Sequence, residues 1–417
     1  MSTKWHVPRF SGAVILTATF LAAVFLTASS VPAAADDLAD FLNDGSLLLN
    51  ARYRYENVHQ AGFAKDAEAH TARLRAGYQT PVFHDFQALI EVELTGHLSN
   101  TFNDTVNGHV AYPVVPDPEN FELNRLQLVY TGLPDTAVTL GRQEINLDDQ
   151  RFAGAVAFRQ NEQTFDALRV ANTSIPGLTL TYIYLDRVNR VFGERSPAGY
   201  FDADAHLFNA AYKAGRIGTL TAYLYLLDFG NAPALSTQTY GASVAGMAPI
   251  ADGVSLSYRA EAANQHDYAN NPQAFDLAYA RGELGLSSGI WSASGGIEYL
   301  EGDGTTGFST PLATLHKFQG FADVFLTTPA RGITDMYGKI GTAKTGLALG
   351  PVTGASLNGW YHDFQSTQGG SLGSEFDIAA SLQLGPHVEA SLAYATYDGV
   401  AGYASRDKIW FEIDIKA

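Results

Sequence analysis

The chain has 417 residues, of which 46% are hydrophobic and only 17% are charged, so it can bury a large apolar surface and is not intrinsically disordered. It contains no Cys, which excludes a disulfide framework, a thiolate zinc site and a Cys nucleophile. The formal charge of −17 argues against a nucleic-acid partner, because neutralising phosphates requires a basic surface.

The N-terminus has the residue order of a secretory signal. Lys4 and Arg9 precede an apolar stretch at 12–28, and small residues follow up to Ala35. We expect cleavage after Ala35, which removes residues 1–35 as a signal peptide and leaves 36–417 as a single transmembrane β-barrel domain. The alternative is an uncleaved membrane-anchoring helix.

From residue 46 to the C-terminus, apolar and polar side chains alternate with the two-residue period of a β-strand. In the first segment Tyr53 lies on one side, and Arg52 and Arg54 lie on the other. Alternating segments of this kind recur along the chain and predict about 18 strands. Tyrosines near the segment ends are expected to form the aromatic belts of a membrane protein. They are Tyr53, Tyr55, Tyr78, Tyr182, Tyr184, Tyr212, Tyr223, Tyr225, Tyr394 and Tyr397.

The connections between segments are alternately short and long. Short turns at one end and long polar loops at the other are typical of a bacterial outer-membrane barrel, whose short turns are periplasmic and whose long loops are extracellular. A sheet in hydrocarbon must close, because an open edge leaves backbone groups unpaired. We therefore predict an all-β, closed antiparallel barrel. The loop at 302–333 is apolar enough to fold into the mouth or to cap it, and the Pro-rich loop at 98–120 could also cover the opening.

Residues 140–170 are the most distinctive stretch, since they hold four arginines and five acidic residues in a sparsely charged chain. The series includes Gly-Arg-Gln, Asp-Gln-Arg-Phe, Arg-Gln-Asn and Thr-Phe-Asp. Together with the stretches at 316–341 and 360–384, it resembles the alginate-export family of bacterial outer-membrane barrels. The resemblance implies an 18-stranded barrel, narrowed by loops and lined by arginines, through which an anionic polysaccharide passes outward. It also makes periplasmic export partners candidates.

A guanidinium group matches a carboxylate in two hydrogen bonds and stays charged, so arginines suit the path of an anionic solute. The residues predicted to line this path are Arg52, Arg54, Arg73, Arg75, Arg125, Arg142, Arg151, Arg159 and Arg169, with Glu91, Glu93, Glu144 and Asp166 as counter-charges. The alternative is that these pairs brace the barrel wall. Simple alternation would turn Arg142 and Arg169 towards lipid, which requires either a bulge near Gly141 or a position near the rim.

Other functions are open at this stage. The nearest is a passive uptake porin for small anions or sugars, and a barrel with a plugged lumen is a third. A barrel hydrolase using His206 or His362 is more distant, because no catalytic motif occurs and the chain is expected not to be an enzyme. Acidic residues at 148–149 and 301–303 suggest a loop Ca²⁺ site only weakly, and no other cofactor is expected. The expected partners are outer-membrane lipid and an anionic or sugar solute.

Overall fold

The structure, a computed structural model, describes residues 43–417, and the predicted signal peptide at 1–35 lies outside them. The described residues form 18 strands. Their bounds are β1 Ser46–Gln60, β2 Ala67–Gln79, β3 Phe86–His97, β4 Asn120–Leu133, β5 Thr136–Gln143, β6 Thr164–Asn172, β7 Leu178–Asn189, β8 Tyr200–Lys213, β9 Thr219–Leu227, β10 Thr237–Ala251, β11 Val254–Asp267, β12 Asp276–Ser288, β13 Trp291–Leu300, β14 Ile333–Leu349, β15 Val352–Gln365, β16 Ser371–Leu384, β17 Val388–Asp398 and β18 Arg406–Lys416.

Each strand pairs antiparallel with the strands before and after it, and β1 also pairs with β18. In the register of this closing pair, Arg52 lies opposite Asp414 and Arg54 lies opposite Glu412. The sheet is therefore a closed barrel without a free edge, which satisfies the backbone groups in lipid. The predicted closed antiparallel barrel of about 18 strands is confirmed.

The barrel is inside out relative to a soluble protein. On β2 the exposed fraction is 48% for Leu74 but 3% for the neighbouring Arg73. The same contrast holds on β3, where Ile90 is exposed and Glu91 is buried. Apolar side chains thus face outwards and charged side chains face inwards, as the bilayer requires. Among the described residues no helix is long and apolar enough to cross a membrane.

The connections are sorted as the sequence predicts. Turns such as 134–135 and 252–253 join strands at one end, where the chain also terminates, and the longest loops lie at the other end. Two of them, the β5–β6 loop (144–163) and the β13–β14 loop (301–332), fold into the barrel. They pack against inward-facing side chains from β6 to β9 and from β12 to β18, and this forms the main buried apolar cluster.

Three of the predicted belt tyrosines do not face lipid. Tyr223, Tyr225 and Tyr397 are at most 5% exposed and lie inside the barrel. Tyr223 and Tyr225 contact Phe152 of the β5–β6 loop, and Tyr397 contacts Phe325 of the β13–β14 loop, so these rings pack against the inserted loops. The Tyr223 hydroxyl also donates to Glu261 at 2.9 Å. In the sequence, a tyrosine that faces lipid and a tyrosine that is buried against an inserted loop occupy the same alternating positions.

Candidate functional site

The two inserted loops form one unit across the lumen, which we call the loop plug (144–163 and 301–332). Ala153 and Leu312 make a parallel bridge between them. Gly154 N–H donates to Leu312 O at 2.9 Å, and the Gln163 side-chain amide donates to the same carbonyl at 3.1 Å. Thr314 N–H donates to Gln150 O at 3.1 Å. These bonds join segments far apart in sequence, so the two loops pack as one unit.

Arginines on β1 hold the plug against the wall. Arg52 Nε donates to Asp414 at 2.9 Å, and its Nη1 donates to Ala157 O at 3.0 Å. Arg54 pairs with Glu412 and also donates to the carbonyl oxygen of Phe158. The Arg54 guanidinium thus connects the closing strand pair, β1 and β18, with the β5–β6 loop.

The arginines on β2 continue this wall. Arg75 pairs with Glu93 of β3 and, at 2.9 Å, with Glu162 of the plug. Arg73 donates to the Asn50 side chain and lies 3.6 Å from Asp414. Arg73 Nε and Nη1 are buried and make no hydrogen bond among the described residues. Arg73 is therefore the least satisfied cation of this wall.

Two forked pairs lie further round the barrel. Arg125 contacts both oxygens of Glu91, at 2.9 and 2.8 Å. Arg142 contacts both oxygens of Asp166, at 2.6 and 3.0 Å, and donates to Leu123 O at 3.0 Å. Such two-point contacts between guanidinium and carboxylate are the strong form of the interaction.

Arg142 on β5 and Arg169 on β6 lie inside the barrel, and each lies close to a backbone irregularity. Gly141 has φ of 114°, a backbone conformation that favours glycine, directly before Arg142. The register of β6 with β7 shifts between Asp166 and Ala167, because β7 has one extra residue there, Asp186, which is a β-bulge. After this bulge Arg169 lies opposite Ile183, a fully buried residue of β7. Simple alternation therefore fails at Arg142. Arg169 lies inside because the apolar residues on its side of β6, Phe165 and Ala167, are buried in the barrel instead of facing lipid.

Arg151 anchors the plug to the opposite wall. Its Nε donates to Glu298 of β13 at 2.7 Å, and its Nη1 donates to Thr310 at 3.1 Å. Its guanidinium carbon lies 4.7 Å from the centre of the Phe318 ring. The side chain is 1% exposed, so it has no surface left for a solute.

Arg159 lies at the centre of a buried charge cluster. It contacts Glu56 of β1 at 3.0 Å, Asp323 of the plug at 3.2 Å and Asp117 of the 98–119 loop at 3.5 Å. Lys408 of β18 contacts Asp323 at 2.7 Å and Glu56 at 3.2 Å. Burial would raise the pKa of Asp323, but Lys408, His316 and Arg159 outweigh it and hold the pKa well below its usual range.

Eight of the nine predicted arginines are ion-paired, and most of them hold the plug or the wall. Arg169 is the exception: within residues 43–417 it has no carboxylate at ion-pair distance. Glu144 is half-buried and accepts from Asn146 at 2.7 Å. The structure therefore gives the bracing alternative a physical basis, while the role of these residues in the solute path stays a prediction.

Below the plug lies a cavity of about 640 Å³, which we call the lower cavity. Its cations are Arg281, Lys317 and Lys339, none of which sequence reasoning singled out. Lys339 Nζ lies 4.8 Å from the centre of the Trp360 ring, so cation and aromatic face occupy the same wall. Strand alternation in the sequence indicates that Arg281 and Lys339 face the lumen. Lys317 lies in the plug, where the sequence has no such periodicity.

Above the plug lies a second cavity of about 340 Å³, the upper cavity. Four cations line it and only one carboxylate, Asp323, which is already paired. The four cations are Arg159, Arg190, Arg406 and Lys408. Arg406 Nη1 donates to two plug carbonyls, at 2.8 and 3.1 Å. Neither Arg406 nor Arg190 has a carboxylate at ion-pair distance among the described residues.

His316 is the one residue that lines both the upper and the lower cavity. Its ring stacks on Phe158 with centroids 3.5 Å apart, and it hydrogen-bonds Asp323 at 2.7 Å. Trp410 closes the same wall, 5.8 Å from the His316 ring. Burial lowers the pKa of His316, and Asp323 opposes this only in part. The ring of His316 thus separates the two cavities.

The remaining sequence candidates are not assembled into a site. His362 lies in the lumen and hydrogen-bonds Asp335 at 2.9 Å, whereas His206 contacts Tyr182 on the lipid-facing side. Asp149, proposed for Ca²⁺, pairs instead with Arg281 at 2.6 Å. Among residues 43–417 no group of three or more His, Asp or Glu side chains could hold a metal ion.

No protein family matches the sequence, and no curated protein is significantly similar to it. Solved structures do match in fold. Pseudomonas aeruginosa OpdL is 17% identical with a TM-score of 0.66, over 90% of this chain and 99% of that one. The P. aeruginosa structures of OpdK with vanillate and of OccK8 (OprE) are each 14% identical with a TM-score of 0.67, over the same shares.

These neighbours are outer-membrane porins, which are not enzymes. The 18-stranded barrel with its apolar exterior lies in a bacterial outer membrane. The resemblance to the alginate-export family is wrong, since the matching structures belong to a different group of barrels and export partners find no support. In this chain the short motifs at 140–170 encode ion pairs of the inserted β5–β6 loop, such as Arg151 with Glu298 and Arg159 with Glu56.

Proposed function

We propose that this protein is a passive uptake porin for small anionic solutes. The observation that carries the proposal is the charge of the upper cavity, where Arg190 and Arg406 have no carboxylate at ion-pair distance among the described residues, in a chain whose formal charge is −17. A positive cleft with apolar walls concentrates anions and attracts them from a distance. Acidic residues elsewhere on the chain do not cancel this local field, because salt screens charges about 10 Å away at 0.1 M.

The path that we propose starts in the upper cavity at Arg406, passes the His316 wall and continues in the lower cavity beside Arg281 and Lys339. In the lower cavity cations alternate with Glu283 and Glu298, so no single step holds the solute tightly. Aromatic rings on the same wall would suit solutes with an apolar face. The OpdK structure with vanillate supports this choice of solute class.

The predicted arginines divide into two roles under this proposal. Arg52, Arg54, Arg142 and Arg151 brace the plug and the wall, since their guanidinium groups are already paired. Arg159 also braces the plug through its ion pairs, but it lines the upper cavity as well, and Arg169 has no counter-ion among the described residues, so these two are the members of the set that we propose for the solute path.

The test is the ion selectivity of the purified protein in planar bilayers, read as the reversal potential under a KCl gradient. We expect anion selectivity, reduced in Arg406→Gln and retained in Arg406→Lys, which keeps the charge. Arg331→Gln is the matched control, because Arg331 is exposed and lies outside the upper cavity. A cation-selective wild type, or equal selectivity in Arg406→Gln and Arg331→Gln, would contradict the proposal.

A further inference from the structure

Beside the upper cavity, on the side of the long loops, lies a separate pocket of about 330 Å³, which we call the side pocket. Arg190 is the only charged residue among the described residues that line it. Six of the others carry hydroxyl groups. They are Thr305, Thr306, Ser309, Thr310, Thr327 and Thr328. A single cation among hydroxyl groups, with no acid, is a different chemistry from the ion-paired interior of the barrel.

Arg190 is held in place without a counter-ion. Its guanidinium carbon lies 4.3 Å from the centre of the Phe201 ring and 4.8 Å from that of Phe192, and Nη1 donates to Ala198 O at 3.0 Å. None of its nitrogen atoms is both buried and unpaired. Burial lowers the pKa of Arg190 to about 10, and no carboxylate contributes. The group is therefore a fixed cation at neutral pH with N–H groups left for an anion.

The wall of the side pocket is also fixed. The Gln265 side chain of β11 donates to Ser309 O at 2.8 Å and accepts from Ser309 N–H at 2.7 Å. Phe308 beside it is fully buried. A pocket whose lining is held in advance loses little entropy when a ligand binds.

Arg190 lines the upper cavity as well as the side pocket. A carboxylate that binds Arg190 is thus next to Arg159, Arg406 and Lys408. Binding to a fixed guanidinium before the narrow wall at His316 would raise the local concentration of solute at the point where passage is slowest.

We infer that Arg190 and the side pocket form an extracellular docking site for a small carboxylate that carries hydroxyl groups. This inference rests on the proposed function. The guanidinium binds the carboxylate in a charge-assisted contact, and the threonine and serine hydroxyls exchange hydrogen bonds with those of the solute. The volume lies at the lower end of ligand pockets, about 300 to 1,000 Å³, so the site takes a monomeric solute.

The experiment is side-dependent block of chloride current through single channels by sodium gluconate, a carboxylate with several hydroxyl groups. We expect stronger block when gluconate is added on the loop side than on the turn side. Arg190→Gln should raise the half-blocking concentration by about tenfold, as for the loss of one charge-assisted hydrogen bond. Arg195→Gln is the matched control, since Arg195 is an exposed arginine of the same 190–199 loop that does not line the pocket.

Two further probes separate the chemical components. Glucitol has the hydroxyl groups without the carboxylate, and propionate has the carboxylate without the hydroxyl groups, so each should block more weakly than gluconate. Equal block of wild type and Arg190→Gln, with anion selectivity intact, would overturn the docking site and leave the proposed function standing. A wild type without anion selectivity would instead overturn the proposed function itself.

Discussion

Replacing Arg159 with Met tests whether buried charges hold the loop plug in the barrel. The substitution keeps most of the side-chain volume and removes the charge that contacts Glu56, Asp323 and Asp117. Lys408 then faces two carboxylates alone. Breaking a buried ion pair in this way costs about 3–5 kcal/mol, because the partner charge stays buried without compensation.

The size of this effect is consistent with the distances. Two unit charges 4 Å apart interact by about 4 kcal/mol at an effective dielectric constant of about 20, and Arg159 lies closer than that to three carboxylates. Unfolding by guanidinium chloride in lipid vesicles, followed by tryptophan emission, should show this loss of stability as a lower midpoint concentration of denaturant. Current noise should rise in the same variant, since the plug is less firmly held.

A double variant makes the reasoning refutable. Adding Glu56→Gln to Arg159→Met removes one of the uncompensated carboxylates, so the double variant should be more stable than Arg159→Met alone. Contacting residues of this kind couple by about 0.5–3 kcal/mol. If the two substitutions were simply additive, or if Arg159→Met unfolded like the exposed control Arg331→Met, the charge cluster would not be what holds the plug.

Three further outcomes are expected. His316→Ala should join the two cavities and raise single-channel conductance, whereas the exposed His59→Ala should not. The folded protein holds the pKa of His316 below its ordinary value of about 6.5. The stability that this ring contributes is therefore present above that pH and falls on acidification. Channel-opening events should increase below about pH 6.5, and this increase should be absent in His316→Gln. Gly141→Ala should destabilise the barrel by about 1–3 kcal/mol through backbone strain, measured against Gly282→Ala, where an added Cβ meets open space.

The fold could be predicted because it follows from local chemistry. Alternation such as Leu74 against Arg73 needs only the neighbouring residues, and the sorting of short turns and long loops needs only their lengths. The strand count and the inside-out orientation follow from these two patterns. A bulge such as the one after Asp166 involves a single extra residue, so the alternation of the sequence does not reveal it.

The candidate site could be predicted only in part. The arginines were visible in the sequence, but their partners were not, because Arg151 meets Glu298 across 147 positions and Arg159 meets Asp323 across 164. Whether a guanidinium braces a wall or faces a solute depends on such contacts. The cations of the lower cavity come from three elements, β12, the plug and β14, which meet only once the barrel closes and the plug folds in.

The pairing of β1 with β18 bears on how the barrel is assembled. These strands are separated by nearly the whole chain, so their pairing joins residues that are far apart in sequence. Two ion pairs favour one register of these strands: Arg52 with Asp414 and Arg54 with Glu412. A slip by one position would carry Ile413 and Ile415 to the watery interior and the acids to the acyl chains. Opposite charges at the seam therefore help to select the register in which β18 closes the barrel on β1.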